Sequence, residues 1–414
     1  MDFNTDQVAS RLVSWFPSDG SGGPQRLRRS WRPLAAVATG LAAVMVAMPV
    51  TASAGPIAVF PHQDGSFLSH LSTLTVGPST VPATGDVNPY GVAVVPYSIG
   101  RLGAGSTLVS NFNNSSNAQG TGTTIVEVSP HGTQHLFAQI NPASLPGPCP
   151  GGIGLTTALS ILPGGWVVVG SLPTTDGTAA TAGAGCLLVL DSQGRVRETW
   201  SGGGINGPWD MTAVSAGNVA SLFVTNVLNG TVAADGGNPS QSPGNVVDSG
   251  TVLRIDVFFS PFRPPSIVSR TVVADGFGER TDPVALVVGP TGDALAGDGT
   301  LYVADTIGNR IAAIPNALWR LTPVHGGGTT VSVGGSLNGP LGMTIAPNGH
   351  ILTVNGGDGN IVETTPGGTQ LPAVQLDGSG NPPGAGALFG LAIAPFAEGV
   401  LFVDDATNNL DLLH

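Results

Sequence analysis

The chain has 414 residues, of which 62 are Gly and 34 Pro, while 41% are hydrophobic and only 10% charged. So apolar and weakly charged a chain is not disordered, and so much Gly and Pro excludes a helical protein, because each costs roughly 1–3 kcal/mol inside a helix. All 14 basic residues are Arg and the net charge is −12, which excludes lysine chemistry such as Schiff bases and Walker loops and leaves no basic footprint for nucleic acid.

The N-terminal segment reads as an export signal. Arg26, Arg28, Arg29 and Arg32 precede an apolar run from Leu34 to Val50, which ends in Ala52-Ser53-Ala54. A positive region, an apolar region and a small-residue site describe a secretory signal over residues 1–54. The run is shorter than the about 20 residues a membrane anchor needs, so no membrane span is expected after cleavage. Residues 55–65 read as a linker, and 66–414 as one domain. Loss of 1–54 leaves nine Arg against 23 acidic residues, a net charge of −14. The expected location is extracytoplasmic, periplasmic or extracellular, and an oxidising compartment permits Cys149 and Cys186 to pair.

From residue 66 onward the chain repeats. One element brings a large apolar residue, a small or acidic one, and then a strand. It appears at Pro89-Tyr90-Gly91-Val92, Gly152-Ile153-Gly154-Leu155, Pro208-Trp209-Asp210-Met211, Pro283-Val284-Ala285-Leu286, Pro340-Leu341-Gly342-Met343 and Leu388-Phe389-Gly390-Leu391. A second element follows each copy, an apolar strand that ends at Asn, Asp or Ser: Leu108–Asn111, Val167–Ser171, Leu222–Asn226, Leu301–Asp305, Leu352–Asn355 and Leu401–Asp405. Third and fourth strands around a polar turn complete most copies, as in Thr124–Val128 and Gln134–Phe137. Four strands repeated six times predict an all-β, six-bladed β-propeller with four-stranded blades. The Gly, Pro, Ser and Asn-rich stretch near 229–250 reads as a surface insertion.

Ring closure has its own signal. The last copy stops at Asn408–His414, one strand short, while Ser66–Val76 is a strand in surplus before the first copy. An N-terminal strand that completes the last blade would hide its edges.

Gly299-Thr300-Leu301-Tyr302-Val303-Ala304-Asp305-Thr306-Ile307-Gly308-Asn309-Arg310-Ile311 resembles the NHL repeat, in which a strand is followed by Ala-Asp and then Asn-Arg-Ile. The resemblance spans roughly residues 66–414 and takes in secreted bacterial-type members of the SMP-30-like propeller superfamily. It implies a fold more than a function, since such propellers include binders, lyases and lactonases. It also implies a structural role for Asp305 and Asn309, pinning the turn after the second strand. Asn111, Asn226, Asp305 and Asp405 then read either as turn pins or as a ring of oxygen ligands.

Catalytic constellations are sparse. His131 and His135 sit around a Pro-His-Gly turn and give no metal pair. Similarity to an SMP-30-like lactonase would imply a Glu, an Asn and an Asp on a divalent cation at the channel mouth. Yet Glu127, Glu198, Glu279, Glu363 and Glu398 all lie outside the repeated motif. No cofactor is certain. Asp210 and Asp282 lie at the motif and, with Asp305, are the candidate oxygen ligands for Ca²⁺.

Two functions follow. The first is a secreted, monomeric binding module that holds an extracellular protein, peptide or carbohydrate at the channel mouth. Its site would comprise Tyr90, Trp209, Asp210, Asp282 and Phe389, within a ring completed by Ile153, Val284 and Leu341. The same aromatics could instead plug the funnel. The second is a metal-dependent hydrolase, lactonase or lyase with its site at that mouth.

Overall fold

The computed structural model describes residues 65–231, 245–260, 263–282 and 285–414. The signal over 1–54, nearly all of the linker, Pro283, Val284 and most of the expected insertion lie outside these residues.

Six antiparallel sheets succeed one another along the chain. Their inner strands are Val87–Val94, Leu155–Leu162, Gly207–Ala216, Pro290–Leu295, Pro340–Ile345 and Leu388–Ile393. Each inner strand packs against the next and the sixth against the first, so the protein is a six-bladed β-propeller. Five sheets have four strands, and blade 3 adds a short fifth pairing at Leu286–Val288. A blade is covered by neighbours on both faces, so its middle strands read as unbroken apolar runs rather than alternating ones. Cys186–Leu190 and Thr107–Asn113 are buried at every residue for this reason.

The repeated motif makes a β-bulge at the head of each inner strand. Pro208 pairs with Asn226 but Met211 with Val224, so three steps on one strand oppose two on the other. The same offset occurs between Pro290 and Asp293, Pro340 and Met343, and Leu388 and Leu391. The small residue inside the bulge sits where the next blade approaches. A Cβ on Gly292, Gly342 or Gly390 would stand 2.2, 1.9 or 2.1 Å from the carbonyl oxygen of Leu341, Phe389 or Tyr90. Glycine at these positions lets neighbouring inner strands crowd around one axis.

Two copies of the motif are displaced from their expected positions. Blade 4 begins at Pro290-Thr291-Gly292-Asp293, while Leu286–Val288 folds back on Arg280–Asp282 of blade 3. Blade 2 begins at Leu155, after the Gly152–Gly154 turn, and carries an extra residue in its bulge.

The ring closes with Leu74–Thr75 as the outer strand of the last blade, where Leu74 pairs with Leu413 and Thr75 with Leu412. Backbone bonds from Ser72 and Thr73 to the His414 carbonyl, and from Leu410 and Thr80 back along the pair, extend this seam. Ser66–His70 is not part of that strand. It forms a turn that docks on blade 5, where the buried Glu363 accepts from the Ser66 hydroxyl at 2.7 Å and from the Phe67 and Leu68 amides at 2.8 and 2.9 Å.

Cys149 and Cys186 form a disulfide with a Cα–Cα distance of 5.2 Å. It ties the loop before blade 2 to the start of that blade's third strand. No helix among the described residues is long and apolar enough to cross a membrane.

Candidate functional site

The aromatic residues of the motif meet one another rather than solvent. Tyr90, Trp209 and Phe389 are 2%, 3% and 1% exposed. The Tyr90 ring stacks on Phe389 at 3.9 Å and on Phe112 at 4.4 Å, with Trp209 tilted against both Tyr90 and Phe389. The Trp209 indole N–H donates to the Val287 carbonyl at 3.2 Å. Leu341 and Leu286 join this cluster, whereas Ile153 packs into a separate core between blades 1 and 2. Val284 lies outside the described residues. These rings plug one end of the channel with buried side chains, the simplest outcome of large apolar side chains converging on an axis.

Beyond the plug the channel opens. Along Gly207–Ala216, Pro340–Ile345 and Leu388–Ile393 the first residues are buried and the last partly or fully exposed. A cavity of about 250 Å³ runs between the inner strands here. Asp210 and Asp293, from adjacent blades, are the only ionisable residues in its wall among the described residues. A larger groove of about 910 Å³ lies away from the axis between blades 1 and 6 and contains only one ionisable residue, Glu398.

Hydroxyl bonds between blades position the two acids. Thr225 Oγ1 accepts from the Asp210 amide at 3.0 Å and donates to the Thr291 carbonyl at 2.6 Å. Blade 3 is thereby stitched to blade 4 two residues before Asp293. Ser110 makes the same stitch between blades 1 and 2, through the Gly91 amide and the Thr156 carbonyl. Asp210 accepts from the Met211 amide at 2.8 Å. Burial pushes its carboxyl up to about 7, against the pull of the Met211 and Asp293 amides. Asp293 is 3% exposed, and neither of its carboxylate oxygens has a hydrogen-bond partner of normal geometry. Burial first, and then the charge of Asp210, push it well above the usual carboxylate range, with the Thr212 amide opposing. Two desolvated acids at one site cannot both ionise cheaply.

The structure does not gather Asp210, Asp282 and Asp305 into one site. Asp282 ends a blade 3 strand, paired with Arg280 at 3.0 Å and accepting from the Ala285 amide at 3.1 Å. Asp305 accepts from Arg310 Nε at 2.7 Å and from the Gly308 amide at 2.9 Å, which pins the turn after its strand. Asn309, at φ 47°, donates to the Leu337 carbonyl and accepts from the Gly339 amide, fastening that turn to the next blade. Asn111 and Asn226 likewise spend their amides on nearby oxygens. Asp405 is raised to about 7 by burial and by Asp404, and its charge reaches the Tyr90 hydroxyl from the closed end. Glu127 and Glu363 bind His135 and His350 within single blades. Among the described residues no three His, Cys, Asp or Glu side chains are close enough together to hold a metal. Among the described residues, the wall of the 250 Å³ cavity holds no Glu or Asn, so a lactonase-type Glu, Asn and Asp set is not assembled in it.

No protein-family model matches the chain, and no curated protein matches it. Solved structures do. They include a gluconolactonase from Xanthomonas campestris (13% identity over 83% of this chain and 97% of that one, TM-score 0.49) and the calcium-binding protein regucalcin from Agrobacterium tumefaciens (14%, 82% and 93%, TM-score 0.47). Virginiamycin B lyase from Staphylococcus aureus is a third (14%, 82% and 98%, TM-score 0.46). At such identities the likeness is one of fold alone.

Proposed function

We propose that the protein is an exported binding module that holds a protein or peptide ligand at the open end of its channel. The observation that carries this reading is the polarity of the channel itself: an aromatic plug at one end, and at the other an opening that leads to two buried acids. The disulfide fits an oxidising, extracytoplasmic compartment. The acidic charge of the chain favours a ligand with basic groups. A polysaccharide would present neutral hydroxyls to this wall, so a basic peptide fits it better. The hydrolase reading retains one observation, the same acid pair, since two carboxyls at one site can hold one proton between them as an acid–base couple. The pair has no His or Cys beside it in the cavity wall to act as nucleophile or third proton carrier.

Selection of binders from a random peptide library, followed by hydrogen-exchange footprinting of the bound complex, tests the reading. Protection should concentrate at the exposed strand ends near Val214, Ile345 and Ile393. A footprint on the plugged end or on the outer blade faces overturns it. Turnover of a lactone or ester that is lost in Asp293→Asn would favour the hydrolase.

A further inference from the structure

The acid pair marks the place where the blades depart from their own repeat. Gly91, Gly292, Gly342 and Gly390 occupy the bulge in blades 1, 4, 5 and 6, where the next strand leaves no room for a side chain. Blade 3 has Asp210 at that position. One residue on, the register places Met211 opposite Val224, Met343 opposite Thr353 and Leu391 opposite Phe402. Blade 4 places Asp293 there, opposite Val303. Two acids have thus replaced a glycine and an apolar residue in adjacent blades, and both face the same cavity. A buried carboxylate without partners is costly, and positions that break a fold's own pattern are where function is expected.

The rest of the wall indicates what would offset that cost. The Thr157 hydroxyl, buried and without a hydrogen-bond partner, is a third oxygen in the lining. Val92, Leu159, Met343 and Leu391, from blades 1, 2, 5 and 6, add apolar side chains to the wall, between the hydroxyl-bearing Ser160, Thr212 and Thr344. The cavity, at about 250 Å³, is several times the about 30 Å³ a water occupies in the liquid. A bare ion would leave it largely unfilled.

Resting on the reading of the open channel as the ligand site, we propose that Asp210, Asp293 and Thr157 form a receptor for a primary ammonium or guanidinium group carried on an unbranched alkyl stem. The charged head would donate to the Asp293 and Asp210 oxygens and the Thr157 hydroxyl. The stem would lie along Met343, Leu159 and Leu391, as Lys and Arg stems lie along apolar surface in folded proteins. A basic peptide side chain and a free alkylamine share this chemistry.

Titration calorimetry on the full chain with n-butylamine, n-butylguanidine and an Arg-containing tripeptide tests the proposal, with n-butanol, tetramethylammonium and Ca²⁺ as comparisons. The butyl cations or the tripeptide should bind saturably at pH 7, and n-butanol and tetramethylammonium should not. Binding of the tripeptide alone would assign the head group to a peptide, and of the butyl cations alone to a small molecule. Asp293→Asn and Asp210→Asn should each weaken binding at least tenfold, and Thr157→Val severalfold. Met343→Lys keeps both acids but places an ammonium in the cavity. It should abolish binding without lowering the melting temperature, so the proposal does not depend on the Asp variants folding. Displacement of the alkyl cation by micromolar Ca²⁺ would make the cavity a metal site and overturn the proposal. Absence of saturable binding by every alkyl cation would also overturn it. A peptide footprint that persisted on the open end would then leave the broader reading intact.

Discussion

At the residue scale, Asp293 and Asp210 set the pH response. A carboxyl whose folded pKa lies above its unfolded value adds stability below the unfolded pKa and loses it as pH rises through the folded one. Asp210 moves from 3.8 to about 7, and Asp293 shifts in the same direction. Asp405, raised to about 7, and Asp411, raised to about 6, add to the trend. Glu363 opposes it: burial raises its carboxyl, but hydrogen bonds from Leu68, Ser66, Asn348 and Phe67 outweigh this and lower it. Its contribution is lost as pH falls, below the window in which the raised acids act. The melting temperature should therefore decline from pH 5 to pH 8. Asp293→Asn, which cannot ionise, should flatten that decline and be more stable than the parent at pH 8. Parallel melting curves for the two proteins across this range would refute the assignment.

At the element scale, the bulge and its glycine decide how closely the inner strands pack. The Gly342 position has a neighbouring carbonyl oxygen 1.9 Å from where a Cβ would stand, and that oxygen belongs to backbone, which cannot rotate away. Asp210 occupies the matching position in blade 3, where the Asp293 amide of blade 4 lies beside its carboxyl. The disulfide acts on another element, closing a loop with a sequence separation of 37. In the chain-entropy model that cross-link contributes about 3–4 kcal/mol. Cys149→Ser with Cys186→Ser should lose stability of that order, read as a lower denaturant midpoint. An unchanged midpoint would mean that the reduced chain already holds the blade 2 loop in place.

At the scale of the whole molecule, stability depends on closing the ring. Leu74–Thr75 and the seam from Ser72 to Thr80 cover the last strand, and the Ser66–Leu68 turn anchors that cover to Glu363 on blade 5. Deleting residues 66–80 should expose the edge of Asn409–Leu413 and produce aggregates on size-exclusion chromatography. A monomeric product with the parent's melting temperature would show that the seam is dispensable. The sequence by itself determined the blade count, the closure by the N-terminal segment and the disulfide, and its NHL resemblance implied the turn pinned by Asp305 and Asn309. Each is written as a local pattern or as a shortage matched by a surplus. Asp210 was legible because it stands inside the repeated motif. Asp293 was not, since Pro283-Val284-Ala285-Leu286 and Pro290-Thr291-Gly292-Asp293 match that motif about equally well. Only the pairing of Leu286–Val288 with blade 3 shows which of the two heads the inner strand. Tyr90, Trp209 and Phe389 do meet one another, but whether such residues form an open mouth or a buried plug depends on the distances between blades. Burial, and with it the pairing of two acids from adjacent blades, is a property of the closed ring, and so the tertiary structure alone decided where the channel is acidic.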